Sequence, residues 1–183
     1  TAAYAYAYMN DDDEKSESGR KDHDSLMNEI ENDKNVNLVV PERLVNPDNL
    51  IEAVKDDLYK RKLWNNSEDV AYSSENHIDI RVNPANIPRA LRIMDTLIKA
   101  FKARGHTIKI EGQNSWLVID DERISFGLRE RLKRDLEKEK NYDWAKKIPS
   151  GLLVFRIDES YRAKEWVDGK KRLEEQFLEL TAE

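Results

Sequence analysis

The sequence contains no cysteine and no long apolar run, and each absence excludes a class of protein. A chain without cysteine forms no disulfide, carries no thiolate nucleophile and holds no cysteine-bound zinc. No apolar stretch approaches the ~20 residues that span a membrane, and the N-terminus lacks the basic-then-apolar order of a signal peptide. These absences predict a cytoplasmic protein without membrane contact.

Signatures of catalysis and of cofactor binding are missing as well. The six glycines form no phosphate-cradling pattern, and no Gly-x-Ser-x-Gly elbow is present for a serine nucleophile. The three histidines, His23, His77 and His106, lack the spacing of metal ligands. The sequence therefore predicts no catalytic residue, no metal and no cofactor, and it favours a protein that is not an enzyme.

One carboxylate cluster keeps an enzymatic hypothesis open. Asp120, Asp121 and Glu122 lie next to a predicted strand, as the metal-binding acids of some nucleases do. The strand that follows offers Ser125 and Gly127 at alternate positions, where such a nuclease also needs an acid and a lysine. Because acids are ordinary residues of hairpin turns, the turn is the favoured interpretation.

Charge is abundant and unevenly distributed along the chain. Charged residues make up 37% of the sequence and hydrophobic residues 39%, so a core can form beneath a strongly ionised surface. Residues 1–76 carry nine Lys and Arg against eighteen Asp and Glu, whereas residues 77–183 carry 22 against 19. An acidic front and a mildly basic back indicate different roles for the two parts.

Residues 1–36 are expected to form a flexible acidic extension or linker. After the Tyr- and Ala-rich start TAAYAYAYMN, the stretch DDDEKSESGRKDHD is polar, acidic and without periodicity. Such a stretch buries too little apolar area to offset its ordering entropy. A weak helical pattern follows at Leu26, Met27 and Ile30. Residues 37–183 are expected to form a single domain.

Two helices are predicted to begin with the same capping device. In VNPDNLIEAV and VNPANIPRAL, Asn46 or Asn83 caps the helix and a proline takes the first helical position. The first helix is expected to run to about Leu63, and the second to end at Gly105. The second has the clearest apolar stripe of the chain, which consists of Ile87, Leu91, Met94, Leu97, Ile98 and Phe101.

Period-two patterns predict the strands. NLVVPERL is expected to be a short strand or extended segment, HIDIRV and HTIKIEG alternate, and SWLVIDDERISF is expected to form a hairpin. LLVFRID is apolar on both faces and is therefore predicted to be a central strand. The closing YRAKEWVDGKKRLEEQFLEL shows helical spacing, with one apolar face formed by Trp166, Leu173, Phe177 and Leu180.

The stretch ISFGLRERLKRD fits two structures. As a strand it directs Ile124, Phe126 and Leu128 to one face and its basic residues to the other. As a helix it aligns apolar residues at intervals of four. Taken with the other elements, the pattern predicts an α+β fold, in which an antiparallel sheet of about five strands carries amphipathic helices on one face.

Five segments together resemble the C-terminal half of an uncharacterised bacterial protein family. They are VPERLVNPDNLIEAV, NIPRALRIMDTLIKAFKARGH, RISFGLRERLKR, SGLLVFRID and EWVDGKKRLEEQ, and the resemblance covers about residues 37–180. Longer members look as though they carry an upstream helix-turn-helix-like segment, which has no counterpart among these 183 residues. The resemblance implies a strand for the stretch up to about Leu132 and association with a DNA-binding neighbour, but it implies no activity.

The strand pattern gathers basic residues on the face away from the core. An open sheet face with several Arg and Lys is suited to contacting phosphates, whereas the alternative interpretation is a solvated face whose charge is balanced by Glu130 and nearby acids. No outward Tyr or Phe is found on those strands to add base stacking. The candidate nucleic-acid-binding residues are Arg81, Lys109, Arg129, Arg131, Lys133 and Arg156.

A second candidate site lies in EWVDGKKRLEEQ. Trp166, Asp168 and Gly169 stand together at the expected start of the closing helix, and they are a candidate partner-docking corner. The favoured alternative is structural, with the Trp anchoring the helix on the sheet and the Asp capping it. Arg89 and Arg92, at the start of the second helix, are expected to be solvated.

Three functional hypotheses follow from these patterns. The leading one is a non-enzymatic binding or regulatory module of a larger bacterial protein, which contacts nucleic acid through the basic sheet face. The second is a protein-interaction or homo-oligomerisation module that buries the spare face of residues 152–157. The third is a metal-dependent, nuclease-like enzyme that uses residues 120–122.

Overall fold

The chain forms helices and strands in a mixed α+β order. The computed structural model describes residues 23–61, 70–135, 146–159 and 162–181. In this part the helices are α1 (His23–Asn32), α2 (Asn49–Arg61), α3 (Ile87–Ala103) and α4 (Phe177–Thr181), with short 3-10 helices at Pro84–Asn86 and Leu173–Gln176. The strands are β1 (Ala71–Tyr72), β2 (Ile80–Val82), β3 (Thr107–Glu111), β4 (Asn114–Ile119), β5 (Glu122–Arg134), β6 (Lys147–Glu159) and β7 (Arg162–Val167).

The helix with the clearest sequence pattern, α3, forms the centre of the core. All six residues of its predicted stripe are buried. The Asn83 side chain caps the preceding 3-10 turn by accepting a hydrogen bond from the Ala85 amide (2.9 Å). At the other end, Gly105 has φ +85°, and the amides of Gly105 and His106 donate to Lys102 and Phe101. This pair of bonds is a Schellman motif, so the predicted C-terminal end of the helix is confirmed. At the predicted start, Asn83 and Pro84 begin a 3-10 turn, and α3 itself starts three residues later at Ile87.

β5 organises the sheet, and it is the segment whose sequence fits both a helix and a strand. It is a strand of thirteen residues. One edge pairs antiparallel with β4 near its start and then parallel with β2 at Leu128 and Arg129. The other edge pairs antiparallel with β6, and β6 in turn pairs with β7. β1 and β3 extend the sheet beyond β2 and β4.

The α+β class is confirmed, but the predicted purely antiparallel sheet of about five strands is wrong in two respects. The sheet has seven strands, and the contact between β2 and β5 makes it mixed. The strands beyond the five predicted are β1, whose two residues are too few for a periodic pattern to mark, and β7, which lies in the stretch predicted as the closing helix. β2 lies within the predicted strand HIDIRV, but its parallel pairing with β5 depends on a distant part of the chain.

The predicted closing helix is also only partly correct. Residues 162–167 form β7, which pairs along its length with β6, and helical structure begins only at Leu173. Trp166 occupies the buried face of β7, beside Phe155 with ring centroids 6.1 Å apart. Trp166 therefore lies in a strand although its spacing from Leu173 and Phe177 is helical. Leu173 and Phe177 are both buried.

Two further expectations near the N-terminal side change in detail. α2 begins after Asp48, whose carboxylate accepts a hydrogen bond from the Leu50 amide (3.0 Å), so Asp48 and not Asn46 is its cap. Residues 37–44 form no strand, and Leu38, Val40 and Leu44 pack against the core. The predicted end of α2, near Leu63, lies outside the described residues.

The predicted N-terminal extension is described only in part. Residues 23–36 contain α1, which buries Ile30 and packs against α4, in agreement with the weak helical pattern. Residues 1–22, which hold most of the acidic stretch, lie outside the described residues. No helix in the described part of the chain combines the length and apolar character needed to cross a membrane.

Replacement of Gly105 by alanine tests the predicted helix end. The left-handed backbone at Gly105 disfavours a side chain although no atom lies within 4 Å of an added Cβ. We expect Gly105→Ala to lower the free energy of unfolding by about 1 kcal/mol in urea titrations. Gly169→Ala is the matched control, because Gly169 has no positive φ and meets only an atom at 3.8 Å. Equal effects of the two substitutions would contradict this account.

Candidate functional site

The sheet has one face packed against the helices and one face without them. Phe126 and Leu128 of β5 and Phe155 and Ile157 of β6 belong to the core. The alternate positions therefore form the opposite surface, which we call the open face. Arg81 lies beside Arg129, and Arg156 lies opposite Gly127, so the strand registers bring these three arginines together.

The remaining three predicted basic residues lie further out. Lys109 is exposed, stands between the half-buried Ile108 and Ile110 of β3, and belongs to the open face. Arg131 and Lys133 are exposed near the end of β5. Because the pairing of β5 with β6 shifts register between Glu130 and Leu132, the strand alternation places four of the six candidate basic residues on the open face and does not assign Arg131 and Lys133 to either face.

A trough runs across the centre of the open face. It comprises two adjoining cavities of about 240 and 480 Å³, and both are lined by Arg81 and Arg129. Gly127 lies in the floor of the smaller cavity, where an added Cβ would come 2.8 Å from the Asp79 carboxylate. The absence of a side chain at Gly127 lets this carboxylate fold over the strand and reach Arg81.

Carboxylates neutralise the three central arginines. Arg81 pairs with Asp79 (2.8 Å) and Arg156 with Asp158 (2.8 Å). Glu165 of β7 pairs with Arg129 and also lies 3.7 Å from Arg156. The hydrogen bond to Asp158 raises the pKa of the Arg156 guanidinium further, against a smaller opposing effect of burial. The centre of the open face is therefore close to neutral.

The three outer cations differ from the central arginines. Within residues 23–61, 70–135, 146–159 and 162–181, Lys109, Arg131 and Lys133 form no ion pair. The expectation that Glu130 balances this face is wrong, since Glu130 is 5% exposed and faces the opposite side. There its carboxylate accepts hydrogen bonds from the amides of Asn83 (2.8 Å) and Gly151 (2.7 Å).

Two aromatic residues on the open face escaped the sequence-based prediction. Trp116 stands on β4 between the buried Ser115 and Leu117, so its indole is directed to the open face. Tyr72 of β1 lies beside Arg81 and lines the larger cavity. The alternation of SWLVI contained the signal, but a serine at the inward position reverses the usual assignment of a large apolar side chain to the core.

The predicted spare apolar face of residues 152–157 is smaller than the sequence indicates. Leu152 is 40% exposed, but Val154 is only 3% exposed and lines the larger cavity with Tyr72 and Leu132. Leu152 is thus the one exposed large apolar side chain of residues 152–157. The interaction or oligomerisation hypothesis stays a prediction that rests on a narrow surface.

The candidate docking corner consists of a buried Trp, a buried Asp and an exposed Gly. Trp166 and Asp168 are 5% and 7% exposed. Both oxygens of the Asp168 carboxylate accept from Arg89, at 2.7 and 2.8 Å, and each also accepts from one backbone amide, Leu153 (2.7 Å) or Leu173 (2.9 Å). This geometry supports an anchoring role, whereas the docking role stays a prediction.

Arg89 was expected to be solvated, but it pairs with two carboxylates in this corner. Its guanidinium also donates to Glu174 at 2.8 and 2.5 Å. Burial is the largest single influence and raises the pKa of Asp168 and Glu174, but the hydrogen bonds from Arg89, the hydrogen bonds from backbone amides and the charge of Arg89 together outweigh it and hold both pKa values below their usual range. Hydrogen bonds to the two carboxylates also raise the pKa of Arg89.

Two groups of residues contain side chains that are common in catalytic sites, but neither group has a catalytic geometry. Asp120 and Asp121 form the two-residue β4–β5 turn, with φ of 45° and 69°, as the turn prediction requires. In the described ranges, no three His, Asp or Glu side chains are grouped so as to hold a metal ion. Ser74 contacts both Asp57 (2.5 Å) and His77 (3.3 Å), but a catalytic triad needs the His between the other two.

The chain matches no protein-family model, no curated protein and no solved structure. Its function is therefore inferred from the site alone.

Substitution of Asp168 tests the anchoring role. We expect Asp168→Asn to lower the free energy of unfolding by about 3 kcal/mol at neutral pH, because it leaves the Arg89 charge without its buried partner. Since the pKa of Asp168 is lowered in the folded state, its stabilising contribution is present above its usual value of 3.8 and is lost as the pH falls below it. The gap between the two proteins in denaturant titrations should therefore shrink below about pH 4.

Asp158→Asn is the matched control for this prediction. It breaks an Arg–Asp pair whose side chains are 35% and 46% exposed, so we expect a change of less than ~1 kcal/mol. A loss at Asp168 no larger than the loss at Asp158 would contradict the anchoring role.

Proposed function

We propose that this chain is a non-enzymatic binding module whose open sheet face contacts nucleic acid. The observation that carries the proposal is the placement of four of the six basic residues, with Arg123 as a fifth, on a single face that no helix covers, next to the exposed Arg131 and Lys133 at the end of β5. Phosphate contacts by Lys and Arg release counterions, and this release provides most sequence-independent affinity for nucleic acid. A broad basic surface is suited to that interaction.

The ion pairs divide the basic residues into two functional groups. Lys109, Arg131 and Lys133 have exposed charges that form no ion pair with any described residue, so a phosphate does not have to displace a described carboxylate to reach them. The central arginines are held in place by carboxylates, so a phosphate must compete with an existing pair to reach them. Because these pairs are part-exposed, each stabilises the protein by only ~1 kcal/mol or less, so a phosphate can replace the carboxylate at little cost in free energy.

The overall charge of the protein sets the conditions under which this contact forms. The whole chain has a formal net charge of −6 at pH 7, so the long-range interaction of its net charge with a polyanion is repulsive. Binding then depends on short-range contacts at the open face. A steep dependence on salt is expected, with a slope of about 0.7 per phosphate contacted on a single strand.

Charge reversal of the two unpaired residues of β5 is the principal test. We expect Arg131→Glu with Lys133→Glu to weaken binding of labelled oligonucleotides and to reduce the salt slope by roughly 1.4 in fluorescence anisotropy titrations, since two phosphate contacts are lost. Arg43→Glu with Lys60→Glu is the matched control, because it changes the net charge equally at exposed residues away from the sheet. Equal losses for both pairs of substitutions would contradict a specific role of the open face.

Removal of the central counter-charge should have the opposite effect. Glu165→Gln leaves Arg129 without its carboxylate and removes one of the two from Arg156. We expect affinity for nucleic acid to rise about two- to fivefold in the same titrations, because the guanidiniums no longer need to exchange an ion pair. Glu179→Gln on α4 provides the control, since it releases Lys171 from a pair of 3.5 Å on the helix side. No increase at Glu165 would show that the central arginines take no part.

A further inference from the structure

The surroundings of Trp116 distinguish one end of the open face from the rest. Its nearest neighbours across the strands are Lys109 on β3 and Ser125 on β5. The guanidinium of Arg123 lies 5.9 Å from the centroid of the indole ring. One cation, Arg123, thus lies over the aromatic ring, and a second cation, Lys109, is its neighbour on a sheet face without helices.

The indole offers its ring and not its polar group. The Nε1 atom of Trp116 is buried and has no hydrogen-bond partner among the described residues. A ligand at this position therefore gains contact with ring carbons, which favours a flat apolar surface over a hydrogen-bonding group. A nucleobase provides such a surface whatever its sequence, because every base has a π-face.

The cations beside the ring are suited to the phosphates that accompany a base. Lys109 is exposed, and nothing in the described part of the chain pairs with it. Arg123 pairs with Glu111 at 2.6 Å, but these side chains are 44% and 51% exposed, so the pair opens at little cost. A base on the ring and its flanking phosphates on the two cations would use all three residues.

The breadth of the sheet favours a single strand over a duplex. β3, β4, β5, β6 and β7 lie side by side, and at ~4.8 Å per strand they span about 19 Å. This width exceeds the ~12 Å of a major groove, so the face cannot enter it to read bases. The bases of a duplex are also stacked on one another and are closed to an aromatic side chain.

We propose that Trp116, with Lys109 and Arg123, forms a stacking site for an unpaired base, and that the ligand of the open face is single-stranded nucleic acid. This inference rests on the proposed function and adds to it the class of nucleic acid. It assigns to β4 a contact that the basic residues of β5 alone do not provide.

The test compares oligo(dT) with a hairpin duplex of the same length in anisotropy titrations. We expect Trp116→Leu to weaken oligo(dT) binding about fivefold to a hundredfold while duplex binding changes little, because only the single strand presents a free base. Trp116→Phe should retain most of the affinity, since it keeps an aromatic ring. Val118→Ala, on the same strand and face, is the matched control for loss of a side chain without loss of stacking.

Tryptophan emission provides a second readout. Oligo(dT) should quench the emission of the wild-type chain, and Trp116→Phe should remove that quenching although three other tryptophans remain. Thermal unfolding of each variant establishes that it is folded at the temperature of the titration.

The outcomes separate this inference from the proposed function. If Trp116→Leu binds oligo(dT) as well as Val118→Ala does, while charge reversal at Arg131 and Lys133 still weakens binding, stacking is wrong and the basic interface stands. If the wild type binds the duplex as tightly as oligo(dT), the single-strand assignment is wrong. If neither nucleic acid binds at low salt, both proposals are wrong.

Discussion

The carboxylate of Asp168 is the point on which the arrangement of the two layers depends. It receives four hydrogen bonds, from the Arg89 guanidinium of α3, from the β6 amide of Leu153 and from the amide of Leu173. These donors belong to the helix layer, the sheet and the C-terminal segment. Because a buried carboxylate is tolerated only when its oxygens are satisfied, the three parts have little freedom to shift relative to one another.

The same corner fixes elements that contain none of its residues. Leu173, whose amide is held by Asp168, begins the 3-10 helix that leads directly into α4. α4 in turn provides the surface against which α1 packs. Trp166 closes the sheet side of this corner by packing on Phe155, which continues through Phe126 to Phe101 in a row of aromatic contacts. The helix-covered side of the molecule is thereby rigid, and the open face is left as the surface free for contact.

Elements with a sustained local pattern could be predicted from the sequence, whereas those made by distant pairing could not. The stripe of α3, the β4–β5 turn and the central position of β6 all follow from periodicity and turn chemistry. The alternation of HIDIRV marked β2 as a strand, but β2 pairs in parallel with a strand nearly fifty residues later, and no local signal gives that partner or that direction. For β7, the helical spacing of Trp166, Leu173 and Phe177 was outweighed by pairing with β6, since tertiary context overrides such patterns.

The prediction of the site failed where it depended on that topology. Strand alternation was sufficient to place Arg81, Lys109, Arg129 and Arg156 on one face, but it did not reveal the register shift between Glu130 and Leu132. Their charge balance was not predictable, since Glu165 meets Arg129 and Arg156 only because residues 162–167 form a strand beside β6. The sequence of β5 alone therefore predicted a more positive surface than the folded sheet has.

The triple pairing of β5 also determines when its backbone can be satisfied during synthesis. The strands that pair with its first edge, β2 and β4, precede it in the chain and are already synthesised. Its second edge has no partner until β6 leaves the ribosome. Until then a thirteen-residue strand with Ile124, Phe126 and Leu128 on one side exposes an unpaired edge. The nascent chain is accordingly most prone to misassociation in the interval between residues 134 and 159, and the basic residues of β5, by their mutual repulsion between chains, act there as protection against aggregation.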